Sequence, residues 1–150
     1  MKRIRYFAIA TAVAFSAGAS LIPLAVDAPY DFARHEAVTL LAARSIPSVP
    51  GKRLVSILVD YPPGAGSVPH RHAGSAFIYA YVLSGQIRSQ IDDEPVRIYR
   101  EGEWWFEGPG AHHRESANAS KTRRARLLAV FVVDAAENEL TTPDARAGSD

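Results

Sequence analysis

Four of the five histidines in this chain of 150 residues fall into two short clusters, His70-Arg71-His72 and His112-His113. Neutral imidazole is the commonest protein metal ligand, and residues two apart on a β-strand project from the same face. His70 and His72 are therefore placed to chelate one ion. The approach to them, Gly64-Ala65-Gly66-Ser67-Val68-Pro69, supplies the glycines and proline with which a backbone turns sharply. The fifth histidine, His35, stands alone in a polar lead-in and reads as a surface residue.

Histidines used in this way need rigid strands behind them, and the surrounding sequence supplies a series of short ones. From Arg53 onward, β-branched and aromatic runs alternate with turn residues, the pattern of an antiparallel sandwich or barrel. Strands are expected over 54–59, 76–83, 86–91, 96–99 and 103–106, and a long apolar one over 126–133 suits a fully buried position. A shorter strand is expected at Val38-Thr39-Leu40-Leu41, followed by the loop Ser45 to Gly51. No segment after the first 28 residues has a helical period. Trp104, Trp105 and Phe106 must point to alternate faces of their strand, and core packing outweighs ligand stacking as their role. Tyr79 and Tyr81 share one face; if it is the lumen, a phenol stands near the histidines.

Taken together, these motifs resemble the cupins. The first cupin motif runs Gly, five residues, His-x-His, three or four residues, Glu, six residues, Gly. Gly64, His70, His72 and Gly85 match it. The second motif maps onto Gly102 to His113, with Gly108 in place of a proline, Gly110 matching and His113 at the ligand position. The resemblance covers roughly Lys52 to Val133. It implies an all-β, double-stranded β-helix (jelly-roll) barrel over 33–136, with a divalent metal held by His70, His72 and His113. His112 is the alternative, as a fourth ligand or an outer neighbour. No register supplies the family's glutamate: counting forward from His72 reaches Ala76 or Phe77, and counting back from Gly85 reaches Ile78. Three histidines still make an adequate site, and iron, manganese, nickel, copper and zinc all accept imidazole. Losing the carboxylate would leave the centre more positive and remove a general base.

Composition narrows the remaining classes. A hydrophobic fraction of 47% with 22% charged residues is ordinary globular usage. A net charge of +1 gives no reason to expect a nucleic-acid partner. The cluster Lys121, Arg123, Arg124 and Arg126 has no aromatic residues between its charges and reads as a solvated hairpin loop. With no cysteine, neither disulfides nor lipid attachment are available. Lys2, Arg3 and Arg5 precede an apolar run ending in Ala17-Gly18-Ala19, the pattern of a signal peptide over 1–19, or extending to 28, that exports the chain to the periplasm or medium. The competing reading is an uncleaved anchor; cleavage would leave no stable membrane association. Residues 137–150 are expected to be a disordered tail.

Three function classes follow. The first is a metal-dependent enzyme acting on a small organic molecule in the barrel, with dioxygenase chemistry implied by the resemblance. The second is a non-catalytic binder of a small molecule or metal, and the third a sensor or scaffold module. The resemblance also implies a homodimer paired through edge strands. Fold alone does not choose among them.

Overall fold

The computed structural model describes residues 35–145 as two five-stranded antiparallel sheets. In chain order the strands are β1 (Ala37–Ser45), β2 (Lys52–Tyr61), β3 (His70–His72), β4 (Phe77–Ser84), β5 (Gln86–Ile91), β6 (Arg97–Arg100), β7 (Trp104–Glu107), β8 (His112–Asn118), β9 (Ala125–Asp134) and β10 (Thr141–Pro143). One sheet runs β1-β2-β9-β4-β7 and the other β10-β3-β8-β5-β6. The described residues contain no α-helix, as the missing helical period predicts.

Alternation along the strands decides what enters the space between the sheets. On β2, Val55, Val59 and Tyr61 are buried; on β4, Ile78, Ala80 and Val82; on β9, Ala125, Leu127, Ala129, Phe131 and Val133. These residues, with Ala76 just before β4, Ile87 on β5 and Trp105 on β7, form two adjoining core clusters. The apolar run of β9 does not mean burial on both faces, because Leu128, Val130 and Val132 are only half-buried. Central position between β2 and β4 satisfies its backbone, while one side chain in two faces the core.

Gly85 joins β4 to β5 with φ +76°, and a Cβ there would lie 2.7 Å from the Arg124 carbonyl oxygen. Only glycine meets both conditions. Two more expectations need correction. The short strand at Val38 to Leu41 is part of a longer one, because Ala37–Ser45 pairs along β2 with a shift of register between Leu40 and Ala42. The tail over 137–150 is not wholly without structure: Thr141, Thr142 and Pro143 pair with His72, Arg71 and His70, which gives β3 a partner along its open edge. A polar, proline-containing sequence read as disorder because this pairing comes from tertiary contact rather than composition. The signal or anchor segment lies outside the described residues. Among the described residues no helix is long and apolar enough to cross a membrane.

Candidate metal centre

His70 and His72 sit on β3 with exposed Arg71 between them, so both imidazoles face the space between the sheets. In the β3–β8 ladder His70 stands opposite His113, and Arg71 opposite His112. That register brings three histidines to one face and sends the fourth to the other. The ring centroids of His70, His72 and His113 lie 4.9, 5.3 and 5.8 Å apart, and one ring nitrogen from each falls within 4.8 Å of the others. His112 turns away, with Nε2 2.8 Å from Asp144 Oδ2, and is not part of the cluster. A bulge in β8 opposite Gln90 and Ile91 shifts the alternation, so that His113 and Ser116, three residues apart, are both buried.

Neighbours hold the rings in place. His70 Nδ1 lies 2.7 Å from the Val68 carbonyl oxygen and donates to it, which leaves the Nε2 lone pair free. His113 Nε2 lies 2.9 Å from Ser89 Oγ, so its other nitrogen, Nδ1, is the one turned to the cluster. Burial pushes the His113 pKa down to about 4, against the opposing pull of Glu107. Burial lowers that of His70 too, with His72 beside it adding to the effect. Both rings are therefore neutral at neutral pH, the state in which imidazole binds a metal.

The sequence pattern missed one participant. Glu107, 3% exposed at the inward-facing end of β7, places Oε2 2.7 Å from His72 Nε2 and 3.6 Å from His113 Nδ1. Its other oxygen, Oε1, accepts a 2.9 Å hydrogen bond from Trp105 Nε1. Burial alone would raise the Glu107 pKa, but contact with His72, the neighbouring His113 and the Trp105 N–H outweigh it and hold the carboxyl below its usual range. The site thus holds a carboxylate after all, on a strand where the first motif does not look. Period-two alternation from the core residue Trp105 was the available signal. Despite their separation, His72 Nε2 and Glu107 Oε2 do not meet hydrogen-bond geometry, and both are buried without such a partner. A buried imidazole nitrogen and a buried carboxylate oxygen left without hydrogen-bond partners are donor types that a cation satisfies, so the residues fit a metal.

Tyr79 does not approach the histidines. It lies on the outer face of β4, its ring 5.5 Å from Phe106 and 6.0 Å from Trp104, because the inward positions of that strand fall to Ile78, Ala80 and Val82. Trp105 is in the core while Trp104 and Phe106 are about half exposed, as strand alternation requires. His35 is not an isolated surface residue: with Glu36 and Val38 it lines a cavity of about 350 Å³ that has the histidines on its wall. Ile57, Leu127 and Phe131 make that cavity largely apolar. Within it, the Tyr61 hydroxyl lies 2.9 Å from Ser67 Oγ and 2.8 Å from Ser116 Oγ, and burial pushes its pKa up to about 12.

Comparison with known proteins agrees with this architecture. No curated protein sequence gave a significant match. The DMSP lyase DddQ from Ruegeria pomeroyi is similar at 20% identity and a TM-score of 0.61, over 81% of this chain and 58% of that one. An uncharacterized conserved protein with a double-stranded beta-helix domain from Klebsiella pneumoniae is 14% identical with a TM-score of 0.55, over 72% and 85%. A recombinant oxalate oxidase in complex with glycolate is 25% identical with a TM-score of 0.51; the match covers 65% of this chain and about half, 51%, of that one. The cupin domain profile matches residues 57–131, the span that carries all three clustered histidines and Glu107, and the chain belongs to the cupin family.

Proposed function

We propose that this is an exported, metal-dependent cupin in which His70, His72 and His113 hold one divalent transition metal, and a small organic molecule enters the adjoining cavity for oxygenase-type chemistry. The observation that carries the reading is the convergence of three ring nitrogens within 4.8 Å of one another on the wall of an apolar cavity. When bound, such an ion supplies Lewis acidity and, for iron, manganese or copper, electron transfer. The chain's own residues do the rest. The Val68 carbonyl fixes the His70 tautomer, Ser89 holds the His113 ring, the apolar walls exclude water, and the Tyr61 hydroxyl stays protonated as a neutral group in the cavity.

Charge narrows the substrate class. Among the described residues lining the cavity none is Lys or Arg, and Glu36 and Glu107 are acidic. A compact dianion would meet no cationic side chain there. An uncharged or singly charged molecule with an apolar body fits better. Export is supported by the basic residues and apolar run before Ala17-Gly18-Ala19.

Metal analysis of protein recovered from the exported fraction tests the reading. The expected product begins at or near Ser20 and carries close to one metal ion per chain. His70→Ala, His72→Ala and His113→Ala should each empty the site and lower the Tm, whereas His112→Ala should keep the ion. An unoccupied wild-type protein that also fails to take up added metal would overturn the proposal.

A further inference from the structure

Glu107 has an unusual place relative to the motif it stands outside. In the β4–β7 ladder its direct cross-strand partner is Ile78, the position reached by counting back from Gly85 to the family's glutamate. Directly opposed residues in an antiparallel pair carry their side chains on the same face, with Cβ atoms about 5 Å apart. Both Ile78 and Glu107 are buried and both line the cavity. A carboxylate moved from position 78 to 107 crosses to the neighbouring strand and lies against His72 and His113.

Two observations show that Glu107 is built for a task rather than merely tolerated. A buried carboxylate is costly unless its oxygens are occupied. Oε1 is anchored by Trp105, itself packed in the core with its ring stacked 4.3 Å from Tyr99. Oε2 is left facing His72 and His113 without a hydrogen bond to either. We infer that Glu107 is the fourth protein ligand of the metal, a carboxylate relocated across the sheet from β4 to β7, with the Trp105 N–H positioning it to bind through one oxygen. The inference rests on the three-histidine reading and completes it: a divalent ion then carries a net charge of +1 rather than +2 within the cavity.

Cobalt(II) is a suitable probe, because its visible spectrum reports ligand number and type. Wild-type protein, Glu107→Gln, Ile78→Glu and the double variant Ile78→Glu/Glu107→Gln are titrated with cobalt(II), with circular dichroism to check folding. Glu107→Gln keeps size and an oxygen for the Trp105 N–H but removes the charge. It should weaken cobalt binding by roughly 10- to 100-fold or more, the range seen when groups supporting a metal are lost, and shift the spectrum. The double variant, with its carboxylate returned to β4, should recover most of the affinity. Wild-type affinity and spectrum in Glu107→Gln would overturn the relocated ligand while leaving the histidine site standing. Failure of the wild type itself to bind cobalt would overturn both. Should Glu107→Gln fold poorly, Trp105→Phe serves instead: freeing Oε1 should alter the cobalt spectrum, and an unaltered one would count against the assignment.

Discussion

His113 shows how one buried side chain ties the site to the stability of the whole. Its pKa is about 4 in the folded chain against 6.5 for the free imidazole, so between those values the unfolded chain binds the extra proton. Stability of the metal-free protein should therefore fall as pH drops from about 6.5 to 4, by up to about 3 kcal/mol from this residue. Urea unfolding of apoprotein across that interval measures the slope. His113→Asn should flatten it, and an equal slope in both proteins would show that other groups dominate. Asn118 makes a different point at the same scale. It opens the sequence Asn118-Ala119-Ser120, a formal glycosylation match, yet its Nδ2 donates to the carbonyls of Tyr61, Pro62 and Arg123 and its Oδ1 accepts from the Ser120 amide. At 4% exposure it is a clasp between loops rather than an attachment point.

At the scale of elements, tight turns hold the strands in the register the histidines need. Gly85→Ala should cost roughly 2 kcal/mol or more, since the new methyl meets the Arg124 carbonyl and the backbone sits in the left-handed region. A thermal melt reads that loss directly, and an unchanged Tm would mean that the β4–β5 turn relaxes freely. Legibility of the sequence divides along the same line. Strands with alternating or turn-bounded patterns, such as β5 at 86–91, were plain because local chemistry determines them. His70, His72 and His113 were plain because their spacing is chemical. Glu107 and β10 were not: Glu107 joins the histidines through the packing of one sheet on the other, and Thr141–Pro143 becomes a strand by pairing with β3. His112 could be separated from His113 only through the β3–β8 register.

Across the whole molecule, the most conspicuous surface is aromatic. Phe77, Trp104 and Phe106 are about half exposed on the outer face at edge strand β7, where Phe77 and Phe106 stack at 5.3 Å and Tyr79 joins them. Contiguous exposed rings beside a sheet edge with no partner strand among the described residues are a surface that monomers seldom leave bare, and they fit the homodimer that the cupin resemblance implies. Sedimentation should show a dimer at micromolar concentration, and Trp104→Glu with Phe106→Lys should dissociate it without emptying the metal site. A wild-type monomer at those concentrations would end that reading.

The pairing of β10 with β3 also bears on when the centre can form during synthesis. His70 and His72 leave the ribosome well before Glu107 and His113, and the strand that closes the edge beside them comes later still, at Thr141–Pro143. Contacts this distant in sequence are slow to form. A partly made chain therefore presents two histidines on an open edge. In the proposed reading, metal uptake would register completed folding, and a chain cut short before residue 141 would leave that edge exposed to pair with a neighbour instead.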